Sequence, residues 1–516
     1  MSDFGVRRWL ALGALALAGL CVGIDATVLN LALPTLATAL HASTAELQWF
    51  VAAYSLVLAA AMIPGGMLGD RFGRKKCLLI ALAIFGASSL ACAYAPSSGA
   101  LIGARAALGL AAAFVTPLTL SVLPVLFTEK ERGRAVTVIV SMTMVALPLG
   151  PILGGWLLTH FWWGSVFLIN VPVVVLAFIA VVLLLPESRS ERPERLDPIG
   201  ILTSSVGLAV TTYGVIEAGQ NGWGSTTALA CMVAGALVLA VFVLWERRVS
   251  HPLVDLTLFG SRSFTWGTIL LTMVSFAMFG LMFSAPQFFQ AILGADAFGS
   301  GLRLLPMIGG LIVGAMAADR LLSGFGAKVA VTLGFAVLAA GLLLGATTHV
   351  SSGGTMAGLW IAVTGAGLGL AMPKCMDAAL SALSPERSGV GSALLQAVRM
   401  VGGSFGAAIL GSILNSAYHS GLHLGGVPAA GAAAAHESVF AGLGWAAQNH
   451  ALALLGSVRV AFVHGMDVML LVCVGIAVAG LVLTLVFLPG QSSVMAPRRL
   501  DGAAAGAGRL DGELSA

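Results

Sequence analysis

Charge is what this sequence has least of. Only 9% of its 516 residues are Asp, Glu, Lys or Arg, while 58% are hydrophobic. A soluble domain carries about 25% charged residues. The shortage excludes an ordinary globular enzyme and a disordered chain. A net charge of +4 over this length is no nucleic-acid footprint. Cysteine is sparse too. Cys21, Cys77, Cys92, Cys231, Cys375 and Cys473 lie scattered in apolar stretches, with no CxxC or other ligand spacing. Neither a disulfide framework nor a zinc site is expected. There is no G-x-x-x-x-G-K-[ST] and no H-E-x-x-H, which removes a P-loop ATPase and a zinc protease.

What is abundant is apolar sequence. A bilayer span needs about 20 such residues. Stretches separated by charge, Gly or Pro clusters predict fourteen spans: 9–33, 47–68, 77–95, 99–121, 136–158, 165–186, 198–218, 226–246, 264–289, 300–318, 328–347, 355–380, 389–416 and 466–488. With the N-terminus inside and the spans alternating, twenty-one Lys and Arg fall on the inner side. Only Arg303 and Arg459 fall outside, and Arg105, Lys374 and Arg399 fall within spans. That bias predicts that both termini are cytoplasmic. Arg7 and Arg8 precede an apolar run like a signal peptide, but the run passes Cys21 to Leu33 and more spans follow. A retained first span is expected.

An internal repeat divides the chain. Residues 61–76 and 306–328 both carry a Gly-rich helix end, then Asp-Arg, then Gly and a base. Asp70 and Asp319 are offset by 249 residues, Pro34 and Pro286 by 252. The expected organisation is an N-terminal six-helix bundle at 1–197 and two inserted helices with a linker at 198–263. A C-terminal six-helix bundle follows at 264–490, then a cytoplasmic tail at 491–516. Repeats that rock around a central site are a transporter architecture. The long outer loop 417–465 holds an apolar part, Ala451–Phe462, expected as a helix on the outer surface. His419 and His423 stand four apart there without an acidic or cysteine ligand, so no metal site is expected.

Few residues are left to carry chemistry. Asp25 lies inside the first span, where a carboxylate costs roughly 2.5–3.5 kcal/mol on insertion scales. Such residues mark proton or ion pathways, although one can also simply tie helices together. Arg105 lies at a similar depth in the fourth span, so an Asp25–Arg105 pair is expected, as a proton site or a static bridge. A carboxylate whose cationic neighbour approaches and withdraws can take and release a proton. Gly66, Asp70, Arg71, Gly73 and Arg74 form a two-to-three turn in which Gly73 permits a tight bend. Asp70 is placed to meet Arg74 or a helix N-terminus. Gly150, Pro151, Gly154 and Gly155 suit a kinked helix with a close neighbour, which physics alone does not separate from generic Gly-rich packing. Lys374 and Asp377 read as an i,i+3 pair. Arg399 has no carboxylate near it in sequence. The acids Glu129, Glu131, Glu187, Glu191, Glu194 and Asp197, interleaved with Arg, read as solvated charge.

These residues resemble a known family. Gly66-x-Leu68-Gly69-Asp70-Arg71-x-Gly73-Arg74-Lys75 is similar to the signature loop of the major facilitator superfamily. Gly150-Pro151-x-x-Gly154-Gly155 resembles the antiporter motif of its fifth helix, with Ala146 in place of a usual Gly. Arg105 with Gly109 resembles the fourth-helix motif, with Leu108 where Gln is common. Asp25-Ala-Thr27-Val-Leu-Asn30-Leu-Ala-Leu-Pro34 and Trp162-Trp163-Gly-Ser-Val-Phe167-Leu-Ile-Asn170-Val-Pro172 resemble segments of the fourteen-helix drug:proton antiporters.

The resemblance implies an all-α major facilitator fold of two six-helix repeats plus two inserted helices. It implies alternating-access efflux of hydrophobic or cationic compounds, driven by the proton gradient without a cofactor. Asp25 would be protonatable, Arg105 would assist coupling, and Asp70 with Arg74 would steady the outward-open state. The tenth span lacks the added carboxylate of dication exporters, having only Gly309, Gly310 and apolar neighbours. Asn30, Trp49, Tyr54, Phe288, Phe289 and Gln290 are candidate substrate contacts. The expected partners are a small substrate, protons and the lipid bilayer, with no nucleic acid, for a monomer in a bacterial cytoplasmic membrane. An importer of the same fold, or an exporter of one self-made natural product, is the alternative.

Overall fold

Helix boundaries follow caps written into the sequence. The computed structural model describes residues 2–190, 197–250, 252–320, 326–381 and 388–488. The tail expected at 491–516 lies outside them, as do Glu191 and Glu194; the side chain of Glu129 is also outside the description. The first bundle runs α1 (Ser2–Ala39), α2 (Thr44–Phe72), α3 (Arg74–Ala93), α4 (Ser98–Ser121), α5 (Leu123–Leu126), α6 (Glu129–His160), α7 (Ser165–Leu168) and α8 (Asn170–Leu184). Next come α9 (Pro198–Asn221) and α10 (Thr226–Glu246). The second bundle runs α11 (Arg262–Ala291), α12 (Ala297–Arg320), α13 (Ala327–Gly345), α14 (Gly354–Leu380), α15 (Ser388–Gly421), α16 (Ala429–Glu437), α17 (Val439–Gln448) and α18 (Leu452–Phe487).

Ser43 opens α2 in a capping box with Glu46, whose carboxylate accepts from the Ser43 N–H at 2.8 Å. Ser97, Ser225 and Ser261 cap α4, α10 and α11 with their side chains. Asp197 caps α9, accepting from the N–H groups of Ile199 (3.1 Å) and Gly200 (3.0 Å), with Pro198 at the first helical position. Its other carboxylate oxygen accepts from Trp245 Nε1 at 2.8 Å. Asp197 is buried, so it is a structural cap and not the solvated charge expected from its neighbours.

Among the described residues, thirteen helical stretches, with α7 and α8 taken together, are long and apolar enough to cross a membrane. The 32-residue α6 lies on the expected fifth span. The expected sixth span is present as Ser165–Leu184, with Ile169 helical between α7 and α8 and Pro172 leaving the Leu168 carbonyl without its usual donor. One expectation is corrected. Ala451–Phe462 is not a separate surface helix. From Leu452 it forms the first turns of the continuous 36-residue α18, capped off from α17 by a turn at His450.

The repeat is visible in the packing. In the first bundle α1 packs on α6 and α8, α2 on α4, and α3 on α4 and α8. In the second, α11 packs on α15 and α18, α12 on α14, and α13 on α14 and α18. Small residues set the closest pair. Gly310 and Gly314 of α12 face Ala362 and Ala366 of α14, while Gly365 and Gly369 of α14 face Met307 and Leu311. A Cβ at any of these glycines would meet partner backbone, so the spacing of four lets two helix backbones touch. The helix α10 packs on α9 and exposes Leu229, Val233, Leu237, Val241 and Leu244 along one stripe, a face suited to lipid.

The two bundles meet where α1 ends and α2 begins. Gln48 of α2 donates to the Ala408 carbonyl (3.2 Å) and to Ser412 (3.4 Å) of α15. Gln290 of α11 donates to the Leu31 carbonyl at 3.2 Å.

Candidate functional site

The site grows from one carboxylate. Asp25 on α1 is fully buried, and its Oδ2 accepts from Arg105 Nη1 of α4 at 2.6 Å. Its Oδ1 accepts from Asn170 Nδ2 at 3.0 Å. Asn170 opens α8, which packs on both α1 and α3, and the same amide lies 3.3 Å from Ser89 Oγ of α3. Arg105 is held a second time: its Nε donates to the Phe50 carbonyl of α2 at 3.1 Å. Its guanidinium carbon lies 4.3 Å from the centre of the Tyr54 ring, a cation–π contact. Five helices therefore converge on one ion pair. The expected Asp25–Arg105 pair is present; Asn170 belongs to the Trp162–Pro172 segment without being expected at this pair, and Ser89 and the Phe50 carbonyl carry no signature in the sequence.

Glycines make room for this centre. A Cβ at Gly109 would run into the Tyr54 backbone, and one at Gly65 would come 2.9 Å from the Ala113 carbonyl oxygen. Arg105 thus sits on a helix pressed against α2. On α6, a Cβ at Gly150 would meet Thr27 and the Ile24 carbonyl, and one at Gly154 would meet Val28. Those α1 residues flank Asp25. On its other side α6 meets the second bundle, since a Cβ at Gly155 would strike the Phe298 backbone and one at Gly301 the Pro151 backbone. The Gly150–Gly155 segment is therefore a joint that touches both the ion-pair helix and the opposite half.

The two-to-three turn is a second polar centre. Arg74 Nε donates to Asp70 Oδ1 at 2.7 Å. Gly73 has φ +113°, and a Cβ there would come within 2.8 Å of the Glu187 carboxylate. Glu187 accepts from the N–H groups of Lys75 (3.1 Å) and Lys76 (3.2 Å), so it caps α3. The chain after α8 is strapped across the turn: Arg74 N–H donates to the Ser188 carbonyl (2.8 Å) and Ser190 N–H to the Asp70 carbonyl (2.9 Å). Glu187 is thus a cap, which corrects its expectation as solvated charge. Of the two partners expected for Asp70, the structure selects Arg74. Arg71 lies over the exposed Phe72 ring at 5.6 Å, and a Cβ at Gly66 would make ordinary contact with Pro117.

The second bundle carries a looser counterpart. Lys374 Nζ lies 2.6 Å from Asp319 Oδ1 and 3.7 Å from Asp377 Oδ2. The expected i,i+3 pair is the longer contact, and Asp319 at the end of α12 is the main partner. Glu131 is likewise paired, with Arg8 at 2.6 Å and the Thr128 hydroxyl at 2.9 Å.

The expected substrate contacts are placed variously. Asn30 is buried and turns its amide to the Ala26 carbonyl. Trp49 meets Tyr213 of α9, ring centres 6.4 Å apart. Tyr54 lies under Arg105. Phe288 and Phe289 are fully buried in the core of the second bundle, so they line no cavity in this conformation. Gln290 clasps α1. His419 Nε2 lies 3.0 Å from the His436 carbonyl. The chain also carries one G-x-S-x-G, at Gly402–Gly406. It lies inside α15 with Ser404 buried, not on the strand-to-helix turn a nucleophile needs.

Two like helical bundles, the first built around a buried ion pair, define a multi-pass membrane protein of a transporter class. The chain belongs to the Major Facilitator Superfamily, whose family model matches residues 15–407. It is 34% identical over 411 residues to the tetracenomycin C resistance and export protein of Streptomyces glaucescens, covering 80% of this chain and 76% of that one. It is 34% identical over 470 residues to the multidrug efflux pump LfrA of Mycolicibacterium smegmatis, covering 89% and 92%. In fold it is similar to a bacterial homolog of the human lysosomal transporter Spinster, with TM-score 0.67 and 18% identity over 93% of this chain and 98% of that one.

Proposed function

We propose that the chain is a proton-coupled efflux transporter that exports hydrophobic or monocationic drugs or antibiotics by alternating access. It would sit in a bacterial cytoplasmic membrane as a monomer of fourteen spans, α6 being the fourteenth, with both termini inside. In that orientation the bundles are joined on the outer side. The observation that carries the reading is the buried Asp25–Arg105–Asn170 cluster, in a chain whose relatives are named as export and resistance proteins.

The geometry suits a proton switch. Protonating Asp25 removes the charge that ties α1 to α4. Arg105 stays on α2 through the Phe50 carbonyl and the Tyr54 face, so α1 is the element set free. Gly150 and Gly154 pass that movement to α6, and Gly155 passes it to α12. Deprotonation restores the pair. No cofactor is required: one charge crossing 100 mV contributes ~2.3 kcal/mol, roughly a fifty-fold gradient.

The test uses everted membrane vesicles with an imposed pH gradient and a lipophilic monocationic dye. Wild type is expected to take up dye and Asp25→Asn to lose uptake. Unchanged uptake in Asp25→Asn would remove this carboxylate from coupling. A narrower cargo is favoured by the relative named for a single compound, tetracenomycin C. No dye uptake by wild type, with export of one metabolite found on screening, would select that reading.

A further inference from the structure

We propose that Arg399, Gln396 and Thr268 form a cargo subsite between α11 and α15 for an anionic or strongly hydrogen-bond-accepting group, such as a carboxylate or phenolate oxygen. The proposal rests on the efflux reading and names a chemical class for its cargo.

Arg399 is a base inside a membrane span. Its Nε is buried without a hydrogen-bond partner, and among the described residues no carboxylate lies within ion-pair distance. An ionisable side chain within a span faces a cavity or marks a pathway by default. Two further orphans lie beside it. Gln396 Oε1, three residues back on the same helix, is buried and unpartnered. So is Thr268 Oγ1 on α11, in a residue only 1% exposed. The register puts Thr268 at the right height. Gly402 lies against Thr272 and Gly406 against Phe276, both offset by 130 residues. One turn earlier, the same offset sets Thr268 level with Val398 and Arg399.

The helical wheel shows where the group points. Met400 packs on the core of the first bundle, while Gly402 and Gly406 pack on α11. At about 100° per residue, Gln396 and Arg399 occupy the arc between those two directions. Arg399, seven residues before Gly406, shares the face turned toward α11, and both Gln396 and Arg399 are only partly buried. The orphaned Arg399 Nε and Thr268 hydroxyl offer donors there, while the orphaned Gln396 Oε1 accepts from an N–H or O–H of the same cargo. Such a set fits an anion or an acceptor-rich oxygen. It disfavours a second positive charge on the cargo.

The test is equilibrium binding by fluorescence polarisation to the full-length protein in lipid nanodiscs. The probes are rhodamine 110, which carries a free carboxylate, and rhodamine 123, its methyl ester. Wild type is expected to prefer the acid by about tenfold, one charge-assisted hydrogen bond. Arg399→Gln should erase the preference by weakening the acid alone, and Arg399→Lys should keep part of it. Thr268→Val should weaken the acid several-fold and leave the ester unchanged, which serves as the test if Arg399→Gln does not fold. Equal binding of both dyes, binding of neither by folded wild type, a preference that survives in Arg399→Gln, or one undiminished in Thr268→Val would overturn the subsite. Failure of the efflux reading shows separately, as absence of gradient-driven uptake by vesicles whose protein binds the acid.

Discussion

The two bundles share one plan of helix contacts and treat charge in opposite ways. The first buries Asp25 against Arg105 and satisfies both with Asn170 and the Phe50 carbonyl. The second leaves Arg399 Nε without a partner and keeps its Asp319–Lys374 contact at the surface, with Asp319 67% exposed. The turn of the first bundle is strapped and capped by Glu187. Duplicated architecture thus carries a buried base paired with a carboxylate on one side and, among the described residues, a base without one on the other. A paired base suits switching between two defined states; a base without a carboxylate suits a visitor that brings one.

The strongest way to break this contrast is to remove each base in turn. Arg105→Ala strands a buried carboxylate and is expected to cost about 3–5 kcal/mol, read as a large drop in the unfolding temperature in detergent. Asp25→Asn keeps the amide hydrogen bonds and should cost less, while abolishing pH-driven uptake. Arg399→Gln removes no ion pair among the described residues and relieves an unpartnered Nε, so its unfolding temperature should stay at or above wild type. If Arg399→Gln destabilises as much as Arg105→Ala, the two halves do not differ in the way proposed.

A smaller effect tests the packing around the pair. Gly109→Ala puts a methyl into the Tyr54 backbone, and strain of about 1–3 kcal/mol is expected. Gly103→Ala on the same helix meets nothing within 4 Å and is the control. Equal unfolding temperatures for the two variants would show that α2 and α4 can part freely and that the ion pair, not the glycine, holds them.

Much of this was legible because a membrane makes polar residues scarce. Asp25 and Arg105 stand out in apolar sequence, and depth counting along two helices was enough to pair them. The repeat was legible because its turn residues recur at a fixed offset. Asn170 was not, since its amide finds Asp25 and Ser89 only when α8 packs against α1 and α3. Glu187 and Asp197 were misread because charge density describes a loop and not the N–H groups a particular carboxylate meets. Phe288 and Phe289 are candidate substrate contacts by residue type alone, and helix phase, which residue type does not give, buries both. Arg399 was visible as an oddity, but only the register of α11 against α15 gives it neighbours.

The turn of the first bundle sets the next scale. Gly73→Ala adopts a backbone that L residues avoid and also meets Glu187; about 1–3 kcal/mol is expected. Glu187→Gln keeps the shape and weakens only the charge at the start of α3, so about 0.3–1 kcal/mol is expected. If the order reverses, the strap depends on charge more than on shape, and the first bundle's turn is closer to the second's than the geometry implies.

The smallest effect concerns Glu131 beside Arg8 at the start of α6. The Thr128 hydroxyl hydrogen bond, more than Arg8, holds its carboxyl below the ordinary value, against a partial desolvation that raises it. A depressed carboxylate stabilises the fold above its unfolded pKa, and the contribution is lost as pH falls through the lower folded value. The difference in unfolding temperature between wild type and Thr128→Val should therefore be constant from pH 5 to 8 and shrink below about pH 4. Arg8→Gln should show the same window with a smaller difference, because exposed pairs contribute little. A difference that persists in acid would mean that Thr128 acts as a helix cap independent of the carboxylate. The first bundle's edge would then owe its order to backbone capping, as α9 does through Asp197.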